Sequence, residues 1–123
     1  MFDRHAERLV QLKPRVLVGQ FAGAAGTLAS LGDKGFEVQK VLCEELGLGV
    51  PVSTWHVARD GLAEAMNLLA VVTGSLGKIA LDIMMMASTE FGEVYEPFVK
   101  GRGASSTMPQ KRNPISSELM LAA

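Results

Sequence analysis

Cysteine is almost absent from this 123-residue chain: Cys43 stands alone. A lone thiol excludes an intrachain disulfide and a cysteine-rich zinc site. It reads as a reduced, half-buried residue on a helix. Aromatic side chains are scarce too, at five Phe, one Tyr and one Trp. Ala, Leu, Val, Met and Gly dominate instead, a mix that suits close-packed helices better than a β-sandwich. Charge of one sign is missing, since 12 basic and 13 acidic residues leave a formal net charge of -1. Nothing therefore attracts nucleic acid or an anionic membrane as a general partner, and any anion must be held by a local site. The most apolar stretch lies between Glu64 and Lys78, where residues 65–77 carry no charge. It falls short of the roughly 18 residues a membrane span needs. Met1–Arg8 is charged and helix-forming, without the apolar core of a signal peptide. With 48% hydrophobic and 20% charged residues, disorder is excluded as well. A soluble, cytoplasmic protein with at most one domain is the expectation.

What is present is mostly helical periodicity. Residues 2 to about 12 read as the end of a helix that Pro14 breaks or kinks. Asp33 is a plausible N-cap for a helix over about 34–46, where Phe36, Val38, Val41, Leu42 and Leu46 share a period. Gly47 stands where such a helix ends in the left-handed conformation. Ser53 or Thr54 can cap a long helix from near Trp55 to about Ala87. That helix is apolar round most of its circumference, so it must be covered on several sides. The chain has too few other helices to do this, which predicts a bundle completed by other chains. Met84, Met85 and Met86 read as core filler. Residues 88–113 show no period, and a loop of that length is often functional. Asn113 and Pro114 then read as the N-cap and first residue of a last helix. Both ends of the chain read as cuts through helices.

The loop gathers chemistry in a short span. Gly101 and Gly103 flank Arg102 and give hinge freedom. Ser105 and Ser106 bring hydroxyls, Lys111 a point charge and Asn113 an amide, just before a helix N-terminus that favours anions. Backbone N–H groups of the serines and of Met108 can serve as anion donors. The residues alone equally fit a polar surface loop ending in an ordinary N-cap. No His or Asp stands beside the serines to suggest a hydrolase triad, and the glycines lack the Lys-Ser/Thr of a phosphate loop.

Gly103-Ala-Ser105-Ser106-Thr107-Met108-Pro109-Gln-Lys111-Arg-Asn113-Pro114 resembles the signature of the fumarase/aspartase superfamily. Gly23-Ala-Ala-Gly-Thr27 with Leu28 and Leu31-Gly-Asp33 resembles a segment of both its 3-carboxy-cis,cis-muconate cycloisomerase and adenylosuccinate lyase branches, whereas Trp55-His56-Val-Ala-Arg59-Asp60, Gly74-Ser-Leu-Gly-Lys78 and Thr89–Pro97 are similar to the muconate branch. Asn113-Pro-Ile-Ser-Ser-Glu118 is closer to the adenylosuccinate lyase branch. The resemblance covers essentially the whole chain. It implies an all-α fold, part of the superfamily's long-helix central bundle, with residues 1–123 as a partial central domain.

The same resemblance implies a lyase or cycloisomerase that needs no metal and no redox cofactor, acts on a small polycarboxylate and works as a homotetramer. Members make or break a C–O or C–N bond next to a carbon whose proton is removed to give a carboxylate-stabilised carbanion. Ser105 takes the role of base. Ser106, Thr107, Met108, Lys111 and Asn113 are implied as substrate contacts, and Thr27, His56 and Arg59 as further candidates. Thr27 equally fits a small residue in a tight turn. His56 fits a capping or packing histidine, and Arg59 a surface partner of Asp60 or Glu64. His5 reads as solvated, and Glu90, Glu93 and Glu96 as a solvated or structurally paired acidic stretch. Other regions of the superfamily's composite site are not represented, so the 123 residues alone are expected to be inactive. A non-catalytic helical assembly module is the remaining reading of a different class.

Overall fold

Helices account for every regular element among the described residues, which in this computed structural model are 1–97, 99, 101 and 105–123. They are α1 (Phe2–Val16), a 3-10 helix (Ala29–Lys34), α2 (Gly35–Glu45), α3 (Asp60–Met86) and α4 (Ile115–Ala122). The all-α expectation holds. An isolated parallel bridge pairs Val18 with Gly49. The chain divides into two compact units, Met1–Leu68 and Leu69–Ala123.

In the first unit, α1 continues past Pro14 to Val16, so the proline does not break the helix, one of its two expected effects. The proline removes the N–H that would serve the Val10 carbonyl. Val10 is 65% exposed, so water can take its place. The helix then closes within one turn, with the Leu17 N–H donating to the Lys13 carbonyl at 2.8 Å. His5, expected to be solvated, is buried instead. Phe2 meets it edge-on one turn before, and Arg8 Nη1 lies 3.2 Å from its Nδ1 one turn after.

Asp33 does not cap α2. It lies inside the 3-10 helix, which Gly32 kinks at φ +55°, and the residue preceding α2 is Lys34, with no side-chain cap. The far end of α2 closes as the sequence indicates. Gly47 takes φ +66°. Its N–H donates to the Glu44 carbonyl at 3.1 Å, and that of Leu48 to Cys43 at 2.8 Å. These are the two bonds of a Schellman motif. Cys43 is more deeply buried than expected, at 1% exposure. A Cβ placed on Gly19 would overlap its Sγ.

α3 starts at Asp60, five residues later than Trp55. Ser53 and Thr54 do not cap it, because the Trp55 backbone is engaged elsewhere. Its N–H donates to Gln20 Oε1 at 3.2 Å, and its indole N–H to the Gly19 carbonyl at 2.8 Å. The chain turns there instead, with the Ala58 N–H donating to the Trp55 carbonyl at 2.9 Å. Arg59 supplies the first carbonyl of α3, accepting from the Ala63 N–H at 2.9 Å.

At 27 residues α3 is about 40 Å long. By length and composition alone it could cross a membrane. Glu64 on one side, and Lys78 and Asp82 on the other, bound its uncharged part. Only Ala80 along it is buried, and Leu62, Met66, Leu69, Val71, Leu81 and Met85 are exposed.

In the second unit, the chain leaves α3 through a turn at Ser88–Gly92. The Gly92 N–H donates to Ser88 at 2.8 Å and the Glu93 N–H to Met86 at 2.9 Å. Gly92 sits at φ +59° with the Tyr95 hydroxyl against it, so a side chain there would meet both strain and a clash. The irregular stretch expected over 88–113 is observed where residues are described. Arg102, Gly103 and Ala104, part of the hinge and of the motif's opening, lie outside the described residues.

Candidate active-site loop

Ser105 begins the described part of the motif, and its hydroxyl is already engaged. Oγ accepts the backbone N–H of Met108 at 3.0 Å and that of Thr107 at 3.2 Å. A serine oxygen that gathers the next two or three N–H groups forms an ST-type turn. Chemically, two amide dipoles converge on the atom that has to carry negative charge in a serine base. The N–H of Met108, expected to face a free anion, points at Ser105 itself. Ser105 is half-buried, and Ser106, Thr107 and Met108 are exposed.

The chain then turns back, with the Lys111 N–H donating to the Met108 carbonyl at 3.0 Å. This turn presents Met108, Lys111 and Asn113 to one cleft of about 640 Å³, whose other wall includes Met84, Ser88, Thr89 and Tyr95. Three of the sequence-predicted contacts are thus brought together. Ser105, Ser106 and Thr107 do not line that cleft. Lys111 and Arg112 give it positive charge, opposed at one side by Glu90. Among the described residues no group of three or more His, Cys, Asp or Glu could hold a metal ion.

The base of the loop is built differently from the sequence expectation. Asn113 does not cap α4. Pro114 precedes the helix and no side chain of its own caps it. The cap comes from Glu96, twenty residues upstream of Ser116. One carboxylate oxygen accepts the Ser116 N–H at 2.9 Å. The other accepts the Ser117 N–H at 2.8 Å and the Ser117 hydroxyl at 2.7 Å. The Ser117 hydroxyl does most to hold the Glu96 carboxyl down, to about 2. Loss of water raises it, and the N–H groups of Ser116 and Ser117 lower it further. The acidic stretch was expected to be solvated or structurally paired, and Glu96 is paired. No local signal identifies Glu96 as the cap, because it is remote in sequence from the helix it serves.

Thr27, His56 and Arg59 belong to the first unit, whereas the loop belongs to the second. Within the first unit the two segments meet. A Cβ on Gly26 (φ +78°) would lie 3.3 Å from Thr54 Oγ1 and 3.4 Å from His56 Cε1. Thr27 and His56 are both exposed beside this contact. The next residue, Leu28, holds φ +56° while burying its side chain. That backbone costs roughly 1–2 kcal/mol for a residue with a Cβ. Arg59 is exposed and does not pair with Glu64, which is taken by Arg15. Nε of Arg15 donates to both carboxylate oxygens at 3.0 Å, and Nη2 adds a further contact. The hydrogen bonds between them hold the pKa of the Glu64 carboxyl below its ordinary value and raise that of the Arg15 guanidinium. A pocket of about 240 Å³ near by is lined by Trp55, Ala58 and Asp60, not by His56 or Arg59.

Comparison with known proteins bears on the family and the fold. A family model described as lyase matches residues 1–123. The chain is 53% identical over 120 residues to 3-carboxy-cis,cis-muconate cycloisomerase of Pseudomonas aeruginosa, covering 98% of this chain and 26% of that enzyme. It is 52% identical over 117 residues to adenylosuccinate lyase of Pyrococcus abyssi, covering 94% and 26%. The crystal structure of 3-carboxy-cis,cis-muconate lactonizing enzyme from Pseudomonas putida superposes with a TM-score of 0.84 at 46% identity, over 97% of this chain and 25% of that one. The chain therefore spans about a quarter of the length of the relatives it matches.

Proposed function

The chain belongs to the lyase family, and from that premise we propose that it carries the proton-transfer loop of a cycloisomerase-type lyase acting on 3-carboxy-cis,cis-muconate or a closely similar polycarboxylate. In the lactonizing direction a substrate carboxylate adds to a double bond. The C–O bond forms, and Ser105 delivers a proton to the neighbouring carbon. In reverse, the Ser105 alkoxide removes that proton, the carbanion is held by the adjacent carboxylate, and the C–O bond breaks.

The observation that carries this reading is the pair of N–H groups on Ser105 Oγ. They stabilise the alkoxide over the alcohol, which serine needs to act as a base. Lys111 and Asn113, facing the cleft, bind the carboxylate that gains charge in the transition state. Met108 lines the same cleft, and Ser105, Ser106 and Thr107, which lie outside it, meet substrate from the adjoining part of the loop. Thr27, His56 and Arg59 belong to a second patch that contacts substrate across the assembly. No metal or redox cofactor is required.

The relatives' greater length supports a longer working polypeptide, and the exposed apolar residues of α3 support a homo-oligomeric enzyme whose bundle covers that helix. The near-neutral charge balance and the charged Met1–Arg8 segment support a soluble, cytoplasmic enzyme. Alone, the 123 residues are inactive. The similarity to adenylosuccinate lyase, with Asn113-Pro-Ile-Ser-Ser-Glu118, supports a second substrate class, in which a C–N bond breaks by the same proton transfer.

The decisive variant is Ser105→Ala in the complete enzyme, followed by the absorbance of the muconate. Turnover is expected to fall by about 10²–10⁴-fold while substrate still binds. Turnover near the wild-type rate excludes Ser105 as the base.

A further inference from the structure

We infer that Glu96 is the positioning residue of this loop: by holding Ser116 and Ser117 it fixes where Lys111 and Asn113 stand in the cleft. The inference rests on the lyase reading above and goes beyond the residues of the signature.

Three observations carry it. First, Glu96 joins the two stems of the segment that contains the motif, one side chain on the near stem meeting the backbone of the far stem. Second, the near stem is itself anchored. The Glu93 and Gly92 N–H groups return to Met86 and Ser88 at the end of α3, so Glu96 refers the start of α4 to a rigid helix. Third, little freedom separates Ser116 from Asn113. Pro114 has φ −78° and a ring that keeps it there. The Ile115 N–H donates to the Asn113 carbonyl at 2.9 Å, and the Glu118 N–H to that of Pro114 at 2.9 Å. A displacement of Ser116 is passed back along this path to the amide of Asn113 and the ammonium of Lys111.

The arrangement also settles which groups face a substrate anion. The first free N–H groups of a helix are the natural place for a carboxylate. Here they are filled by Glu96, and Ser117, which takes two of its bonds, is 4% exposed. A substrate carboxylate is thereby left to the side chains of Lys111 and Asn113 and is not drawn to the end of α4. Glu96 touches no reacting atom and acts only through the backbone it holds. Its low carboxyl pKa, about 2, keeps the anion present at any working pH.

The test compares Glu96→Gln, Ser117→Ala and Ser105→Ala in the complete enzyme. Glu96→Gln presents an N–H₂ to one of the two backbone donors and so opens the clamp. A misplacement of about 1 Å costs up to ~10²-fold in rate. Expected for Glu96→Gln is a kcat lower by about 10–100-fold with KM nearly unchanged. Native-state tryptic cleavage after Lys111 and Arg112 should be faster, while the melting temperature falls too little to unfold the enzyme at the assay temperature. Ser117→Ala, which deletes only the hydroxyl bond, shows the same pattern at smaller scale and serves if Glu96→Gln fails to assemble. Wild-type cleavage and kcat in Glu96→Gln overturn the inference. So does a loss of kcat that merely follows a fall in melting temperature. Ser105→Ala separates the two ideas. If it retains turnover the lyase reading falls, while faster cleavage in Glu96→Gln still supports the clamp. If it is inactive and Glu96→Gln is normal, the reading stands and the positioning role falls.

Discussion

Replacing Gly19 by alanine puts one methyl group where the Cys43 sulfur already sits. The Cβ would overlap Sγ and stand 3.7 Å from both Cys43 Cβ and the Gly49 carbonyl oxygen. Neither neighbour can retreat easily. Cys43 is 1% exposed and belongs to the last turn of α2, while Gly49 pairs with Gly19 through a 2.9 Å hydrogen bond. Overpacking of this kind costs about 1–3 kcal/mol. The strain also reaches the candidate site, because the Gly19 carbonyl holds the Trp55 indole.

The same geometry predicts its own rescue. Cys43→Ala removes the sulfur, and the new methyl of Gly19→Ala then occupies part of the space it leaves. The double variant should be more stable than the sum of the single effects by about 1–2 kcal/mol, within the range seen for touching residues. Urea unfolding of the four proteins, followed by Trp55 fluorescence, measures the coupling. Additive effects, or a Gly19→Ala protein as stable as wild type, would refute the packing described for Cys43.

Lys111→Gln removes the cation proposed to bind the substrate carboxylate and should lower kcat/KM by about 10²–10³-fold; an unchanged value in steady-state assays would remove Lys111 from the site. Because Glu96 titrates near 2 in the folded protein and from 4.5 ordinarily, its stabilisation is complete above pH 4.5 and fades as pH falls toward 2. The stability gap between wild type and Glu96→Gln should close over that window, and a gap constant from neutral pH to pH 2 contradicts the carboxylate's role. Asp33→Ala should change stability by less than about 0.5 kcal/mol, since Asp33 caps nothing; a loss near 1 kcal/mol in thermal unfolding would restore it as an N-cap.

The elements legible in the sequence are those whose causes are local. Gly47 ends α2 because a residue without a Cβ is needed three positions after the Glu44 carbonyl it satisfies, and that requirement is written in the chain itself. The Ser105–Asn113 loop was legible through its resemblance and its lack of period. The helix starts were not. Asp33, Ser53, Thr54 and Asn113 are all good capping types, yet none caps its helix. At Trp55 and Ser116 the backbone donors go to Gln20 and Glu96, which are distant in sequence. Tertiary partners outcompete local ones there, and residue type alone cannot say which wins. His5 is buried rather than solvated for a similar reason. Its covering by Phe2 and Arg8 depends on side-chain directions along α1 rather than on composition.

α3 bears on how this protein behaves on dilution. A helix of 27 residues with only Ala80 buried draws its stability from whatever covers the rest. If copies of the same chain cover it, folding and association share one equilibrium. Apparent stability then rises with protein concentration by mass action. Residues such as Leu69 and Met85 act in that case as binding groups and folding groups at once. A substitution there would change the concentration at which the enzyme exists before it changed any property of the loop.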